Sequence, residues 1–266
     1  MKVSVLMAVY NAGEKSYLED ALDCIFAQSY KDFEVVLCDD GSIDDTWERI
    51  NRYTNKYENC ILLKNSSNLG LAASLNKCIE HASGEYLARM DADDLIPVDR
   101  FEKQCKFLDE NLKYSFVSTH AKLYDDEGFW GTIEHPEYPL KEDLIFQSPF
   151  VHASTMFRSD DLKAVQGYRI AKETRRAEDY DLWFRFYANG YLGANLNYFG
   201  YYIREDEEAL KRRKFKYRVD EAKVRYKGYK SLKLLPGKFP YVLKPIVVGL
   251  IPKKILSYLK KARSVK

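Results

Sequence analysis

Hydrophobic and polar positions alternate regularly along the first hundred residues. Apolar runs rich in β-branched residues are typical of strands buried on both faces, and such runs occupy 3–9, 33–38, 60–63 and 86–90. Between them, apolar residues recur at helical spacing, which predicts three amphipathic helices, marked by Leu18, Leu22, Ile25 and Phe26, by Trp47, Ile50, Tyr53 and Tyr57, and by Leu71, Leu75 and Ile79. This alternation predicts an α/β fold with a mostly parallel, doubly wound sheet flanked by helices.

The pattern after residue 100 is less regular. Strands are predicted at 116–124, 130–133 and 194–203, and helices at 159–165 and 178–189. From Asp206 to about Leu235 the pattern is helical and strongly basic, and beyond Pro236 apolar residues are interspersed with lysines. We therefore predict a helical, basic C-terminal tail behind the α/β body.

Polar residues follow three of the predicted strands. Tyr10 and Asn11 follow the first strand, Asp39 and Asp40 follow the second, and an acidic segment at 91–94 follows the fourth. Ligands of open parallel sheets bind beyond the carboxyl ends of the strands. We therefore expect these residues to form the functional edge of the sheet.

The acidic segment Asp91-Ala92-Asp93-Asp94 is the first candidate site. Three carboxylates so close together repel one another unless a cation lies among them. Oxygen ligands of this kind suit Mg²⁺ or Mn²⁺, which share their coordination with substrate phosphates. The alternative is a solvated acidic turn, with an aspartate capping a helix that starts near Pro97. The position directly after an apolar strand favours the metal site.

The segment Asp39-Asp40-Gly41-Ser42 is the second candidate site. Gly41 permits a tight turn, and Ser42 or Asp44 can cap the next helix. Neither Asp39 nor Asp40 is needed for such a turn. A carboxylate at this place can accept a hydrogen bond from an N–H group of a nucleotide base.

Glu178 and Asp179 open a predicted helix. Acidic residues in a first turn are ordinary partners of the helix dipole, which is the simpler interpretation. The same placement would keep Asp179 ionised and fixed, as a general base requires. His152 is one of four histidines, and a lone histidine is more often structural than catalytic. The sequence contains no P-loop, GxGxxG or HExxH motif.

Composition excludes several classes of protein. The chain has 266 residues, of which 46% are hydrophobic and 31% charged, so it is not disordered, collagenous or a coiled coil as a whole. The net charge of +2 is unevenly distributed: residues 1–200 contain 22 basic and 34 acidic residues, and residues 201–266 contain 20 basic and 6 acidic residues. An acidic body with a basic tail indicates an anionic partner at the tail.

Cysteine usage and hydropathy bear on the compartment. The five cysteines form no CxxC pair and show no metal-ligand spacing, so we expect free thiols. Their odd number and the lack of a signal peptide favour a cytoplasmic location. No run reaches the roughly 18 apolar residues that a transmembrane helix needs.

Taken in order, the motifs resemble those of family 2 glycosyltransferases. They are VLMAVYN at 5–11, CDDGS at 38–42, NLGLAASLN at 68–76, GEYLARMDADD at 84–94 and AEDYDLW at 177–183. The resemblance spans residues 1 to about 204. Its variants ARMDADD and AEDYDLW are similar to those of bacterial transferases that build capsule, exopolysaccharide or O-antigen. The chain has no QxxRW motif, and its absence argues against a processive synthase.

This resemblance implies a GT-A fold and an inverting, metal-dependent hexosyltransferase with a nucleotide-sugar donor, expected to be a UDP-sugar. It implies a catalytic domain at 1–204, with a nucleotide-sugar-binding half at 1–94 and an acceptor half at 95–204. Residues 205–266 are then a basic amphipathic extension. The acceptor is expected to be a lipid-linked glycan.

The resemblance also implies roles for residues at the matching motif positions. The nucleotide would be contacted by Ala8, Tyr10, Asn11, Asp40 and Asp91, with Asp40 on the uracil edge. Asp91 and Asp93 would form the metal-binding DxD motif for Mn²⁺ or Mg²⁺, with Asp93 as the direct ligand. Asp179 would be the catalytic base.

Other positions are implied less specifically. His152, Glu178 and the loop at 172–176 fall where family members shape the acceptor side. A histidine often follows the last strand of GT-A enzymes, and this chain has Arg204 there instead. Arg204 would either meet the diphosphate or pair with a neighbouring acid.

The basic tail has three interpretations. The run Lys211–Arg218 could indicate nucleic acid, but the tail contains no recognised nucleic-acid module and the acidic body would repel a polyanion. A solvated helix face is the simplest alternative. From Gly237 onward, apolar residues alternate with lysines, a pattern typical of segments that lie in a membrane interface. We expect the protein to be peripheral on the inner face of the cell membrane, without a nucleic-acid partner.

Two other functions remain open from the sequence. A nucleotidyltransferase acting on sugar phosphates also places paired carboxylates on a nucleotide-binding sheet, although its Gly-rich basic signature near the N-terminus is absent. The chain could also be a non-catalytic scaffold of a polysaccharide assembly complex. Donor turnover separates the three functions, since a transferase releases nucleoside diphosphate, a nucleotidyltransferase pyrophosphate, and a scaffold neither.

Overall fold

The structure, a computed structural model, describes residues 1–13, 15–205 and 215–250. Its strands are β1 (Val3–Val9), β2 (Phe33–Asp39), β3 (Cys60–Lys64), β4 (Tyr86–Asp91), β5 (Tyr114–Asp125), β6 (Gly128–Ile133), β7 (Met156–Arg158) and β8 (Leu192–Arg204). Its helices are α1 (Tyr17–Phe26), α2 (Thr46–Thr54), α3 (Leu71–His81), α4 (Arg100–Glu110), α5 (Ser159–Ala164), α6 (Glu178–Ala188), α7 (Phe215–Ser231), α8 (Phe239–Val242) and α9 (Lys244–Gly249). Short 3₁₀ turns occupy Asp143–Ile145, His152–Ser154 and Lys172–Thr174.

The described strands form one sheet in the order β3-β2-β1-β4-β7-β5-β6, and β8 also pairs with β5. Strands β1 to β4 are mutually parallel, and β8 is parallel to β5. Strand β7 is antiparallel to both β4 and β5, and β6 is antiparallel to β5. The prediction of a mostly parallel sheet flanked by helices is confirmed.

Two details differ from the sequence prediction. Helix α2 ends at Thr54, so Tyr57 lies beyond it, where its ring stacks on Phe26 with centroids 3.5 Å apart. Strand β7 joins the two halves of the sheet and was not predicted, because three residues are too few to show a period.

Both faces of the sheet are covered, which explains the continuous apolar runs. Val3, Val5 and Met7 of β1 belong to one core cluster with residues of α1 and α4. Leu6 belongs to a second cluster with residues of α3, α6 and α7. Parallel strands buried on both faces have no polar face to show.

Helix α7 packs closely against α6. Gly228 allows this approach, because a Cβ atom placed there would lie 2.2 Å from Cγ of the Phe184 ring. The Tyr229 hydroxyl donates a 2.7 Å hydrogen bond to the Ile145 carbonyl, and Arg225 Nη1 donates to the same carbonyl at 2.9 Å. The described part of the basic tail therefore contributes to the core, which the charge pattern alone did not predict.

All five cysteines are free thiols, as expected. The first half of the basic run Lys211–Arg218, residues 211–214, lies outside the described residues, as do residues 251–266. Among the residues that are described, every helix is too short or too polar to span a bilayer.

Candidate functional site

The carboxyl ends of β1, β2 and β4 lie side by side at one edge of the sheet. Ala8 near the end of β1 pairs in register with Cys38 of β2 and with Asp91 of β4. The polar segments that follow these strands therefore meet at this edge. The register of β1, β2 and β4 therefore brings together the polar residues that the alternation of strands and helices predicted at this edge.

Asp40 is buried and ties the end of β2 to the loop before α3. Its Oδ1 accepts hydrogen bonds from Asn65 Nδ2 and from the Leu69 N–H, both at 2.9 Å. Its Oδ2 accepts from the Gly70 N–H at 2.8 Å. Both lone pairs of Oδ1 are therefore occupied, but Oδ2 accepts a single bond and keeps a second lone pair, which can still accept a bond from a nucleotide base.

Asp39 is the residue in this motif that the sequence prediction left without a role. It is fully buried, and its Oδ1 accepts a 3.0 Å hydrogen bond from the Ser42 N–H. Its Oδ2 has no hydrogen-bond partner among the described residues, and the nearest cation is Lys64 Nζ at 3.9 Å. A buried carboxylate oxygen without a donor is a natural acceptor for a ligand N–H or O–H group.

Asn11 connects the loop after β1 to the loop after β2. Its N–H donates to Ser42 Oγ at 2.9 Å, and its Oδ1 accepts from the Ile43 N–H at 3.0 Å. Asn11 has a φ of +47°, a region that asparagine tolerates better than most residues. Tyr10, directly before it, has 45% of its surface exposed at this edge.

The acidic loop after β4 contains three carboxylates in different environments. Asp91 is partly exposed, and its N–H donates to the Tyr201 hydroxyl at 3.0 Å. Asp93 is exposed. Asp94 is buried, and its Oδ1 accepts the Arg204 N–H at 2.8 Å. Burial and the charges of Asp91 and Asp93 raise the pKa of Asp94 well above its usual range.

Arg89 lies beneath this loop and was not singled out from the sequence. It is 3% exposed, and its Nη1 lies 2.5 Å from Asp91 Oδ2. Burial would lower the pKa of Arg89, but the Asp91 carboxylate outweighs that effect and raises it above its usual range. A charged residue inside an otherwise apolar strand was the available signal.

Asp179 lies in the first turn of α6 and is partly buried. Burial and the charge of Glu178 raise the pKa of Asp179 to about 6. Tyr168 connects this turn to the acidic loop: burial raises its pKa, and the charges of Asp179, Glu178 and Asp91 raise it further. The next residue, Arg169, pairs with Asp181 of the same turn at 2.7 Å, so this segment contacts the turn that carries the proposed base.

His152 lies in the 3₁₀ turn beside this region. Its Nε2 is 2.7 Å from the Tyr168 hydroxyl. Burial and the nearby Arg89 cation lower the pKa of His152 well below its usual range, so the imidazole is neutral. It supports Tyr168 as a hydrogen-bond partner.

Arg204 ends β8 and closes the opposite side of the acidic loop. Its Nη1 pairs with Asp126 Oδ1 at 2.8 Å. The guanidinium carbon lies 3.7 Å from the centroid of the Tyr17 ring and 4.6 Å from that of Tyr124. Of the two roles considered from the sequence, this geometry is that of pairing with a neighbouring acid.

The DxD carboxylates suit a divalent cation that is completed by substrate. Within the described residues, no group of three or more His, Cys, Asp or Glu side chains is arranged to hold a metal by itself. Mg²⁺ and similar cations are commonly bound by one or two carboxylates together with substrate phosphates. Asp91 and Asp93 supply hard oxygen ligands at an exposed loop, and their mutual repulsion with Asp94 favours a cation there.

Comparison with known proteins supplies the family context. Residues 4–164 match the family model described as "Glycosyl transferase family 2". A Bacillus subtilis protein named "Putative glycosyltransferase EpsE" is 39% identical over 98% of this chain and 94% of its own length. The Escherichia coli enzyme named UDP-Gal:alpha-D-GlcNAc-diphosphoundecaprenol beta-1,3-galactosyltransferase is 27% identical over 98% of this chain and 95% of its own length.

A solved structure shows the fold. The mannosyltransferase PcManGT of Pyrobaculum calidifontis, in complex with GDP-Man and Mn²⁺, superposes with a TM-score of 0.63 at 20% identity, over 100% of this chain and 81% of its own. The GT-A fold that the motifs implied is confirmed.

Proposed function

The chain belongs to glycosyl transferase family 2, and from this premise we propose that it moves one sugar from a UDP-sugar to a lipid-linked glycan in the synthesis of a bacterial surface polysaccharide. The observation that carries this proposal is a series of contacts between the acidic loop after β4 and the first turn of α6. Arg89, which is paired with Asp91, donates its N–H to the Thr155 carbonyl, directly after the 3₁₀ turn of His152. The Tyr168 hydroxyl lies 2.7 Å from His152 Nε2, and the next residue, Arg169, pairs with Asp181 of α6 at 2.7 Å. In this proposal the donor binds at the ends of β1, β2 and β4, and Asp179 of α6 is the carboxylate that faces it. The Escherichia coli relative, which acts on a diphosphoundecaprenol-linked sugar, supports the acceptor class.

Asp179 is proposed as the general base. A sugar hydroxyl is a weak nucleophile at neutral pH, so a carboxylate that takes its proton during attack lowers the barrier. A pKa of about 6 keeps Asp179 mostly ionised at neutral pH and makes it a stronger base than an ordinary aspartate. Attack on the face opposite the leaving diphosphate is a single displacement, which inverts the anomeric carbon.

The nucleoside is proposed to lie at the ends of β1 and β2. Ala8, Tyr10 and Asn11 line the edge from β1, and Asp40 holds the loop at 65–70 through its three hydrogen bonds. Asp39 is added to the site because its buried Oδ2 has no hydrogen-bond partner in the described part of the chain. Either carboxylate can accept the N3–H of uracil.

Asp93 and Asp91 are proposed to hold Mn²⁺ or Mg²⁺, and the bound cation supplies positive charge beside the leaving diphosphate. Arg89 orients Asp91 through their ion pair. Asp94 and Arg204 fix the far end of the loop through the 2.8 Å hydrogen bond between them. Glu178 raises the pKa of the base, and His152 holds Tyr168 between the two halves of the site.

The test is donor turnover by purified protein against a panel of nucleotide sugars, with Mn²⁺, Mg²⁺ or EDTA. We expect release of nucleoside diphosphate with one donor, a product whose anomeric configuration is inverted by NMR, and loss of turnover in EDTA. Asp93→Ala should match the EDTA result. Release of pyrophosphate would indicate a nucleotidyltransferase, and the absence of any turnover across donors and acceptors would favour a scaffold.

A further inference from the structure

The described part of the C-terminal tail, residues 215–250, contributes to an apolar groove whose lining includes none of the residues at the ends of β1, β2 and β4. The groove has a volume of about 510 Å³ and lies between α7 on one side and α8 and α9 on the other. Its apolar lining consists of Val219, Ala222, Tyr226, Phe239, Val242 and Ile246. A volume of about 300–1,000 Å³ is typical of sites for small ligands.

Two lysines border this groove, and each is paired with a carboxylate: Lys223 with Asp220 at 3.2 Å and Lys227 with Glu173 at 2.6 Å. Apolar side chains beside the groove extend into solvent. Lys223 and Lys227 line the groove, and their side chains are 57% and 59% exposed. Beyond Ile246, Val247 is 60% exposed and Leu250 is 71% exposed. An apolar groove bordered by lysine side chains is suited to the apolar part of an amphiphile.

One end of the groove reaches the loop at 172–176, which precedes the helix that carries the proposed base. Glu173 lines the groove, and its Oε1 lies 2.6 Å from Lys227 Nζ, which joins this loop to α7. From Glu173 the chain reaches Asp179 in six residues. A ligand lying in the groove would therefore point along the 172–176 loop towards the site.

Two arginines occupy the intervening positions. Arg175 and Arg176 are exposed, and neither forms a hydrogen bond or an ion pair with the part of the chain that the structure describes. Arg176 has a φ of +71°, an uncommon conformation for a residue with a side chain, and such strain is concentrated at functional sites. A guanidinium group binds phosphate through two parallel hydrogen bonds.

We propose that the groove binds the isoprenoid chain of the lipid-linked acceptor and that Arg175 and Arg176 bind its diphosphate. This inference rests on the proposed function, since it assumes an acceptor with a lipid diphosphate. The order of Glu173 at the groove, the two arginines and the base along the polypeptide matches the order of isoprenoid chain, diphosphate and sugar along such an acceptor. The positive charge is placed where the acceptor is anionic, and the apolar lining where it is apolar.

The groove is tested with two acceptors that carry the same sugar diphosphate, one on a long isoprenoid chain and one on a short, water-soluble alkyl chain, both in detergent solution. Ile246→Glu should raise KM for the long-chain acceptor about tenfold or more and leave KM for the short-chain acceptor and the donor unchanged. If Ile246→Glu does not fold, Tyr226→Glu replaces it, because Tyr226 is a more exposed residue of the groove lining. Leu243→Glu is the matched control, because Leu243 is on the same extension, 43% exposed, and outside the groove lining.

The arginines are tested by the double variant Arg175→Ala/Arg176→Ala. Loss of a charge-assisted hydrogen bond should raise KM for both diphosphate acceptors about tenfold. It should leave KM unchanged for the same sugar on an uncharged alkyl glycoside. The double variant Arg175→Lys/Arg176→Lys should recover part of the loss, because it keeps the charge without the planar fork.

Direct labelling separates this inference from the proposed function. A photoactivatable isoprenoid diphosphate should label α7 or α8 of the wild-type chain and not of Ile246→Glu, whether or not a donor is turned over. Three results would overturn the groove assignment. The first is labelling elsewhere in the chain, and the second is an equal change in KM for the long-chain and short-chain acceptors. The third is a cross-link from position 226 to residues 251–266 or to a second copy, because that segment would then occupy the groove. Absence of turnover with every donor, with labelling retained, would count against the proposed function alone.

Discussion

At the scale of single residues, Asp179 differs most clearly from an ordinary surface carboxylate. We expect Asp179→Asn to lower kcat by about 10²–10⁴, the usual contribution of a general base. Nucleotide affinity measured by calorimetry should stay the same, because the donor edge lies at β1, β2 and β4. Glu178→Gln is the matched control and should retain most activity. If Asp179→Asn lowered nucleotide affinity as much as kcat, the assignment of Asp179 as the base would be wrong.

The pKa of Asp179 predicts the acid limb of the pH–rate profile. Burial and Glu178 raise this pKa to about 6, and the base must be ionised to act. We therefore expect kcat to be constant above about pH 7 and to fall about tenfold per pH unit below 6. In Glu178→Gln the limb should move to lower pH, because a like charge has been removed. A limb that does not move in this variant would contradict the assignment.

The raised pKa of Asp94 predicts how its substitution changes the free energy of unfolding. Its raised pKa means that the folded state disfavours the ionised form, so ionisation costs stability above the unfolded pKa of about 4. Asp94→Asn keeps an acceptor for the Arg204 N–H, and its free energy of unfolding at pH 8 should equal or exceed that of the wild type. Asp94→Ala leaves that N–H unpaired and should lose about 1–3 kcal/mol. Denaturant unfolding in EDTA at pH 5 and 8 measures both, and equal destabilisation of the two variants would contradict this account.

Individual residues also show which parts of the site could be predicted from the sequence and which could not. The strand ends predicted Asp40, Asp91 and Asp93 as site residues, because polar residues after apolar runs are visible in the sequence. Asp179 was predicted from the start of a helix and from the family resemblance. The unpaired Oδ2 of Asp39 depends on which hydrogen bonds the loop makes, and no spacing rule shows that.

At the scale of elements, the packing of α7 on α6 gives a prediction about the glycine at their contact. In Gly228→Ala the added Cβ would meet the Phe184 ring at 2.2 Å. Overpacking costs about 1–3 kcal/mol, which exceeds the gain of up to about 1 kcal/mol from better helix propensity. We expect a net loss of about 1–2 kcal/mol and a fall in Tm of roughly 2–8 °C by calorimetry. Gly237→Ala is the control, since nothing lies within 4 Å of its added Cβ, and an equal fall there would contradict the argument.

The elements also show why sequence patterns predicted the fold better than its tail. Strands β1, β2 and β4 are long enough, and buried enough, for a continuous apolar run to identify them. Helix α7 carries many lysines, so its charge suggested a solvated or membrane-facing helix. Its inner face nevertheless buries Ala222, Val224 and Tyr229 against the second core cluster. Long basic side chains can cover an apolar helix face without removing it from the core.

At the scale of the whole molecule, the charge is separated between an acidic body and a basic extension. Residues 1–200 carry an excess of acidic groups and residues 201–266 an excess of basic groups. An anionic membrane would attract the extension and repel the body, which sets the orientation of the protein. Because α7 packs on α6, whose first turn carries Asp179, this orientation would bring the proposed base towards a lipid-linked acceptor.

This orientation predicts which lysines govern binding to lipid vesicles. Lys230 and Lys238 are exposed on the extension, and Lys31 and Lys113 are exposed on the body. Each lysine near an anionic surface contributes about 1 kcal/mol, so Lys230→Gln/Lys238→Gln should weaken binding to anionic vesicles about thirtyfold at low salt. Lys31→Gln/Lys113→Gln removes the same net charge and should leave binding within about twofold, because both lysines lie on the acidic body, which an anionic membrane would repel. Co-sedimentation with anionic and neutral vesicles at two salt concentrations measures these effects. Equal weakening by the two pairs would mean that net charge alone drives association, and the proposed orientation would then be wrong.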